Sequence, residues 1–221
     1  MNFTRIAKGA RRIFGSGCSV RAAGPALLAV VGMSSIYAAD CNRIRWDLQH
    51  VDFSTTPITL SPGGTAFASA DGSNQITFTE SSGTFLARSS DRSGEAERGC
   101  RFRAVTGGGK WQTFDGTNTK SGTYRVTQLL SWQFASLQAG APIDLVDPDH
   151  PRANGHAILR IAYDDGSEGI LAIGCHGAGA QPGIQEGVIA TKGYLTYWTG
   201  AFHPPVASLI DINFTIFHIL E

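Results

Sequence analysis

The chain lacks membrane-length apolar runs, closely spaced cysteines and every common catalytic motif. The apolar stretch at residues 25–39, PALLAVVGMSSIYAA, is too short to be read comfortably as a membrane-spanning helix. Four cysteines occur in 221 residues, and their wide spacing excludes CxxC zinc and redox motifs. GxSxG, HExxH, phosphate-binding loops and dinucleotide fingerprints are all absent. The sequence therefore carries no motif specific for a substrate, cofactor or reaction.

Acidic residues are absent before Asp40, whereas five basic residues occur there: Arg5, Lys8, Arg11, Arg12 and Arg21. A basic segment, a short apolar segment and small residues at the exit are typical of a secretory signal peptide. We predict a signal peptide at residues 1–39 and a secreted or periplasmic protein. Arg11-Arg12 also fits the twin-arginine export pattern loosely, and an uncleaved leader would be the one predicted membrane contact.

Loss of the leader leaves 13 basic against 18 acidic residues, a net charge near −5 with neutral histidines. Nucleic-acid binding needs a basic stripe that neutralises phosphates, and the sequence has no such run of basic residues. Nucleic acids are therefore excluded as partners. Residues 40–221 fit a single domain, of unknown oligomeric state. An oxidising compartment permits one disulfide among Cys41, Cys100 and Cys175, with the pairing left open.

Alternating apolar and polar residues dominate after the leader and predict an all-β fold of about nine to ten strands. A single-domain antiparallel β-barrel and a β-sandwich both fit this pattern. Residues 211–220 are apolar on both faces and should form a central strand. The triplet at residues 107–109 predicts a tight turn, and a change of apolar parity near His50 predicts a bulge or a bend. The irregular segment at 139–155 is expected to have a function or to cover another part of the fold.

The clearest hairpin spans residues 156–176, with a three-residue loop at 164–166 that ends in glycine. Its register pairs Leu159 with Leu171, and it places Cys175 on the apolar face as a buried residue or half of a disulfide. His156 and His176 become diagonal neighbours on the polar face, where two imidazoles could reach a common ion. Zinc needs a third and usually a fourth ligand. We therefore predict no metal site, the cofactor stays unknown, and a solvated histidine pair is the alternative.

The candidate catalytic residues are His156, His176, Glu186 and His218. An inward-pointing Glu186 or Lys192 would serve as an acid-base group, whereas the alternative is one polar face of a strand. His218 lies between apolar neighbours, where a hydrogen-bonded core histidine is the alternative. The candidate ligand-lining residues are Trp46, Trp132, Tyr194 and Trp198, and core filling is the alternative for these aromatic side chains.

The runs VTGGGKW at 105–111, SGTYRVTQLLSW at 121–132 and EGVIATKGYLTYW at 186–198 resemble a group of small, uncharacterised exported bacterial all-β proteins. The resemblance covers most of the predicted mature chain. It implies export and an all-β fold, and it implies no activity.

Three functions fit these observations. The first is an exported, non-catalytic domain that binds a small apolar or aromatic ligand or a cell-surface partner. The second is a β-barrel enzyme, an isomerase, cyclase or hydrolase, which should place at least two candidate polar groups in one apolar cavity. The third is a cavity-less envelope interaction protein with an exposed apolar patch.

The first prediction concerns the thiols of the exported protein. Denatured and alkylated without reductant, the mature chain should take up one alkyl group, because one disulfide leaves one of three cysteines free. Mass spectrometry counts the added groups. Three added groups would contradict the oxidised, exported interpretation.

Overall fold

The computed structural model describes residues 41–87, 105–199 and 213–220, and these residues have an all-β architecture, as predicted. Strands account for 68% of them, and no helix occurs among them. In these three ranges there is accordingly no helix of the length and apolarity that crossing a membrane requires. The predicted signal peptide and Cys100 lie outside the described residues.

The described residues form twelve strands, more than the nine or ten predicted. In chain order, β1 to β12 are Asn42–Asp52, Thr59–Pro62, Thr65–Ser69, Asn74–Ala87, Thr106–Asp115, Thr119–Leu137, Ile143–Asp144, Arg152–Tyr163, Glu168–Cys175, Gly187–Lys192, Leu195–Thr199 and Thr215–Leu220. The excess has a physical reason. Short strands of two to five residues, such as β7, are too brief to show an alternation in the sequence.

All twelve strands join one sheet that closes in a ring, rather than the two separate sheets of a sandwich. Eight strands follow one another in the order β6-β5-β4-β3-β11-β10-β9-β8, and β6 pairs with β8 to close the circuit. The sheet is mixed, because β2 and β7 pair in parallel, so the purely antiparallel prediction was wrong in this detail.

The ring splits into two paths along part of its circumference. β8 pairs with β9 along residues 155–162 but with β12 at residues 152–153. Likewise, β4 pairs with β3 along residues 75–79 but with β1 along residues 82–87. Along one part of the ring, β9, β10, β11 and β3 lie between β8 and β4. Along the other part, β12 and β1 lie between them instead. As predicted, β12 is a central strand, with β1 and β8 on its two sides.

The hairpin of β8 and β9 has the predicted register. Leu159 lies opposite Leu171, and the main-chain N–H of Tyr163 donates to the carbonyl of Ser167 at 2.9 Å. Gly166 adopts φ +85°, the left-handed conformation that ends such a loop. Side chains at the odd positions of both strands are buried in the core inside the ring.

The glycine triplet lies within β5, so the predicted turn was wrong. An added Cβ at Gly107 would lie 2.5 Å from the carbonyl oxygen of Ser82, and Gly107 has φ +130°. Its cross-strand partner is Gly83, and the indole of Trp46 packs against both glycines. The glycines therefore let β4 and β5 approach a large buried side chain. A turn and such a close approach have the same local sequence signal, so the sequence alone did not distinguish them.

Residues 53–62 and 139–151, which contain β2 and β7, lie against the outside of β1 and β12; we call these two segments the outer layer. Leu60 and Val146 of the outer layer form a second apolar cluster with Val51 of β1 and Ile216 of β12. This cluster is separate from the core inside the ring. β1 runs through its described pairings without a register shift. The apolar parity changes near His50 because the other face of β1 is covered here, so the bulge, one of the two predicted alternatives, was wrong.

Buried polar contacts fasten the outer layer to the ring. His218 on β12 is fully buried, and its Nε2 lies 2.9 Å from Oδ2 of Asp144 on β7. Arg45 on β1 contacts Asp47 through two hydrogen bonds of 2.7 and 3.0 Å and reaches Asp147 at 3.4 Å. Burial raises the pKa of Asp47 despite these bonds from Arg45. Such paired charges fix where the outer layer sits, because an unpaired buried charge is costly.

The second prediction tests the core inside the ring. Phe217 is fully buried, and its ring centroid lies 4.7 Å from that of Trp132 and 6.4 Å from that of Phe85. Phe217→Ala should lower the free energy of unfolding in urea by about 3–5 kcal/mol, through lost burial and the cavity left behind. The matched control Phe114→Ala removes a ring that is 39% exposed and should cost under about 1 kcal/mol. Equal losses in both variants would contradict the core assignment.

Candidate functional site

A partly open cavity of about 400 Å³ lies where the outer layer meets the split in the ring. Most of its lining is apolar, with side chains from the outer layer, from β1 and from the residue preceding β12: Val51, Phe53, Ile58, Leu60, Pro142 and Phe214. The rings of Phe53 and Phe214 contact each other at a centroid distance of 5.6 Å. A few polar groups interrupt this lining, and the residue before β10, Glu186, contacts two of the residues that carry them, His176 and Thr215.

Glu186 supplies a carboxylate to this cavity. Its two oxygens take the place of the carbonyl acceptors that a neighbouring strand would provide. Its Oε1 accepts the main-chain N–H of Thr215 at 2.7 Å, and its Oε2 accepts the main-chain N–H of His176 in a short hydrogen bond. These two N–H groups lie at the start of β12 and just after β9, where the ring splits. Glu186 thereby joins the ends of three strands, because buried N–H groups need acceptors.

Burial raises the pKa of Glu186 to about 7, although the hydrogen bonds from His176 and Thr215 oppose the shift. The Thr215 hydroxyl donates to the carbonyl oxygen of Gly174 at 2.7 Å, and Oε1 of Glu186 is a more distant acceptor of this hydroxyl at 3.2 Å. Desolvation is thus the reason that the pKa of Glu186 lies close to neutral pH.

Two further polar side chains border the same end of the cavity. Gln49 donates from Nε2 to the carbonyl oxygen of Thr215 at 3.0 Å, while its buried Oε1 has no hydrogen-bond partner among the described residues. Gln138 donates from Nε2 to Sγ of Cys175 at 3.0 Å. Gln49 and Thr215 carried no signal in the sequence, because neither belongs to a motif and their contact joins residues 166 positions apart.

Of the four candidate catalytic residues, the structure brings two to this cavity. Glu186 and His176 both line it, and Nδ1 of the exposed His176 lies 2.8 Å from the carbonyl oxygen of Ile184. His156 lies opposite Gly174 as predicted, and burial lowers its pKa, but it does not line the cavity. His218 contacts Asp144 beneath the outer layer and does not line it either.

Lys192 is held in another part of the molecule. Its Nζ lies 4.1 Å from the ring centroids of both Trp111 and Tyr163, and it contacts the side chains of Asp165 and Ser167. These contacts attach β10 to the turn between β8 and β9. Cation–π and ionic contacts of this kind explain the lysine as part of the scaffold.

The aromatic residues predicted to line a ligand site are elsewhere in the fold. Trp46 and Trp132 belong to the core inside the ring, at 0% and 6% exposure. Tyr194 and Trp198 are exposed. None of the four lines the cavity described above, whose aromatic side chains are phenylalanines instead.

The described residues contain no group of three or more His, Cys, Asp or Glu side chains that could hold a metal ion. Cys175 is free and buried, and burial raises the pKa of its thiol well above the usual value. It is therefore not bonded to Cys41, the other cysteine in the described ranges. Comparison with protein-family models, with curated proteins and with solved structures found no match for this chain.

The third prediction is a pH-dependent stability that originates at Glu186. A carboxyl whose pKa rises from 4.5 to about 7 on folding stabilises the fold below pH 4.5, and this contribution disappears as pH rises towards 7. The free energy of unfolding should fall by on the order of 2 kcal/mol more in the unaltered protein than in Glu186→Gln between pH 4.5 and 8.

Urea titrations at several pH values measure this difference. Glu168→Gln, which removes an exposed carboxyl on β9, is the matched control and should keep the pH dependence of the unaltered protein. An identical pH profile in Glu186→Gln and the unaltered protein would show that Glu186 does not titrate in this range.

Proposed function

We propose that this protein is an exported, non-catalytic domain that binds a small apolar molecule in the cavity beneath the outer layer. The observation that carries the proposal is the mostly apolar cavity of about 400 Å³ with a few polar groups at one end. Small-molecule sites are typically about 300–1,000 Å³, apolar, and furnished with a few polar groups that orient the ligand. The cavity has both the size and the composition of such a site.

Exposed apolar side chains around the cavity support a binding role. Phe53 and Ile58 line it and remain 49% and 38% exposed. A folded domain normally buries large apolar side chains, and those that stay exposed together often mark a binding surface. A bound apolar molecule would cover these two side chains and remove them from water.

Proton-transfer catalysis is the second candidate, because Glu186 and His176 share the cavity and Glu186 titrates near neutral pH. The hydrogen bonds favour binding over catalysis. Both oxygens of Glu186 already accept main-chain N–H groups, and Nδ1 of His176 is occupied by the carbonyl of Ile184. An interaction protein without a cavity is the least supported of the three functions, since a cavity is present.

We also propose that the exported chain carries a Cys41–Cys100 disulfide. Cys175 is free and buried, which leaves the other two mature cysteines as the pair. A secreted or periplasmic location would supply the oxidising conditions that the bond requires.

The fourth prediction concerns a substitution that fills the cavity. Ala178 is exposed and lines the cavity, and in the part of the chain that the structure describes it makes hydrogen bonds only through its main-chain carbonyl, which accepts from Ala139 and Asn154. Ala178→Trp should occupy the space that a ligand needs and weaken binding of the neutral fluorescent probe N-phenyl-1-naphthylamine at least tenfold. Fluorescence titration measures the affinity.

Ser121→Trp is the matched control for this substitution. Ser121 is exposed on β6, away from the cavity, so the variant adds the same side chain without filling the site. It should bind the probe as the unaltered protein does. If the unaltered protein does not bind the probe, or if both variants bind it equally well, the proposed function is wrong.

A further inference from the structure

Several hydrogen-bond donors at the polar end of the cavity are used within the protein itself. The N–H groups of Thr215 and His176 donate to Glu186, and the Thr215 hydroxyl donates to the carbonyl of Gly174. Nδ1 of His176 faces the carbonyl oxygen of Ile184, which only accepts, so Nδ1 donates to it. None of these donors is left for a ligand.

Acceptors remain at the same end. Each carboxylate oxygen of Glu186 has lone pairs beyond the one that its main-chain N–H uses. When Nδ1 carries the only ring proton, Nε2 of His176 is an acceptor. Gln49 is 6% exposed, and its Oε1 has no hydrogen-bond partner in the described ranges. A buried acceptor without a partner destabilises the fold unless a ligand or water supplies a donor.

On the basis of the proposed function, we propose that the ligand is an apolar molecule with a protonated amine, and that the amine donates to Glu186 at the polar end of the cavity. An ammonium has three N–H donors, whereas an alcohol has one and a carboxylate has none. It therefore matches a site that offers several acceptors. Its positive charge can also pair with the carboxylate of Glu186, which lies in a mostly apolar wall.

Arg152 is the cationic side chain among the described lining residues, and its charge has partners within the protein. Its Nε lies 3.8 Å from Oδ2 of Asp144, and its Nη2 donates to the carbonyl of Gly140 at 2.9 Å. The charge of Arg152 is thus compensated within the outer layer. Glu186 has no such ionic partner among the described residues, since its contacts there are the main-chain N–H groups and the Thr215 hydroxyl.

The fifth prediction compares three probes with the same naphthalene body: 1-naphthylmethylamine, 1-naphthalenemethanol and 1-naphthoate. Calorimetric titration at pH 8, where Glu186 is mostly ionised, should give an amine affinity at least tenfold above that of the alcohol, with the acid weakest. In Glu186→Gln the ratio of amine to alcohol affinity should fall close to one. This ratio is insensitive to a loss that affects all probes equally.

Glu168→Gln removes one negative charge away from the cavity and should keep the amine preference. Acid binding as tight as amine binding in the unaltered protein would overturn the inference, even if Glu186→Gln did not fold. An amine preference that survives in Glu186→Gln would also overturn it. Binding of N-phenyl-1-naphthylamine without amine preference would refute the inference alone, whereas no binding of any probe would refute the proposed function with it.

Discussion

The structure depends on how one carboxylate satisfies the main chain where the sheet divides. A closed ring leaves no free strand edge, but a ring that splits into two paths leaves N–H groups without ladder partners at the division. Glu186 accepts two of them, from His176 after β9 and Thr215 at the start of β12. An acceptor with two oxygens can join two strand ends that do not pair with each other, and it does so next to an apolar cavity.

The same constraint produces the chemical character of the cavity. Because the main-chain N–H groups at the split bind Glu186, they are not available to a ligand, whereas acceptors of Glu186 and Gln49 remain there. Because the outer layer covers β1 and β12 with apolar side chains, this end lies next to a mostly apolar wall. Burial then raises the pKa of Glu186 towards neutrality. Structural and binding roles of this residue are thus linked, and a substitution there changes both the fold and the site.

Local patterns in the sequence predicted what depends on local structure. The β8–β9 hairpin followed from its glycine-terminated loop and its alternation, and the central position of β12 followed from apolar residues on both faces. Twelve strands, the parallel pair and the in-strand glycines were not predictable, because they depend on contacts between distant segments. Glu186 was a candidate in the sequence, yet its partner Thr215 lies 29 residues away on another strand. The aromatic positions Trp46 and Trp132 fill the core, since periodicity does not distinguish a filled interior from a lined one.

The most direct test of the account locates the ligand on the molecule. Heteronuclear NMR of the ¹⁵N-labelled protein with 1-naphthylmethylamine should show the largest amide shifts at Gly177, Glu186 and Thr215 and in the cavity-facing part of the outer layer. The exposed aromatic residues Tyr194 and Trp198 should change little. Shifts centred on Tyr194 and Trp198, with none around Glu186, would contradict the assignment of the cavity as the binding site.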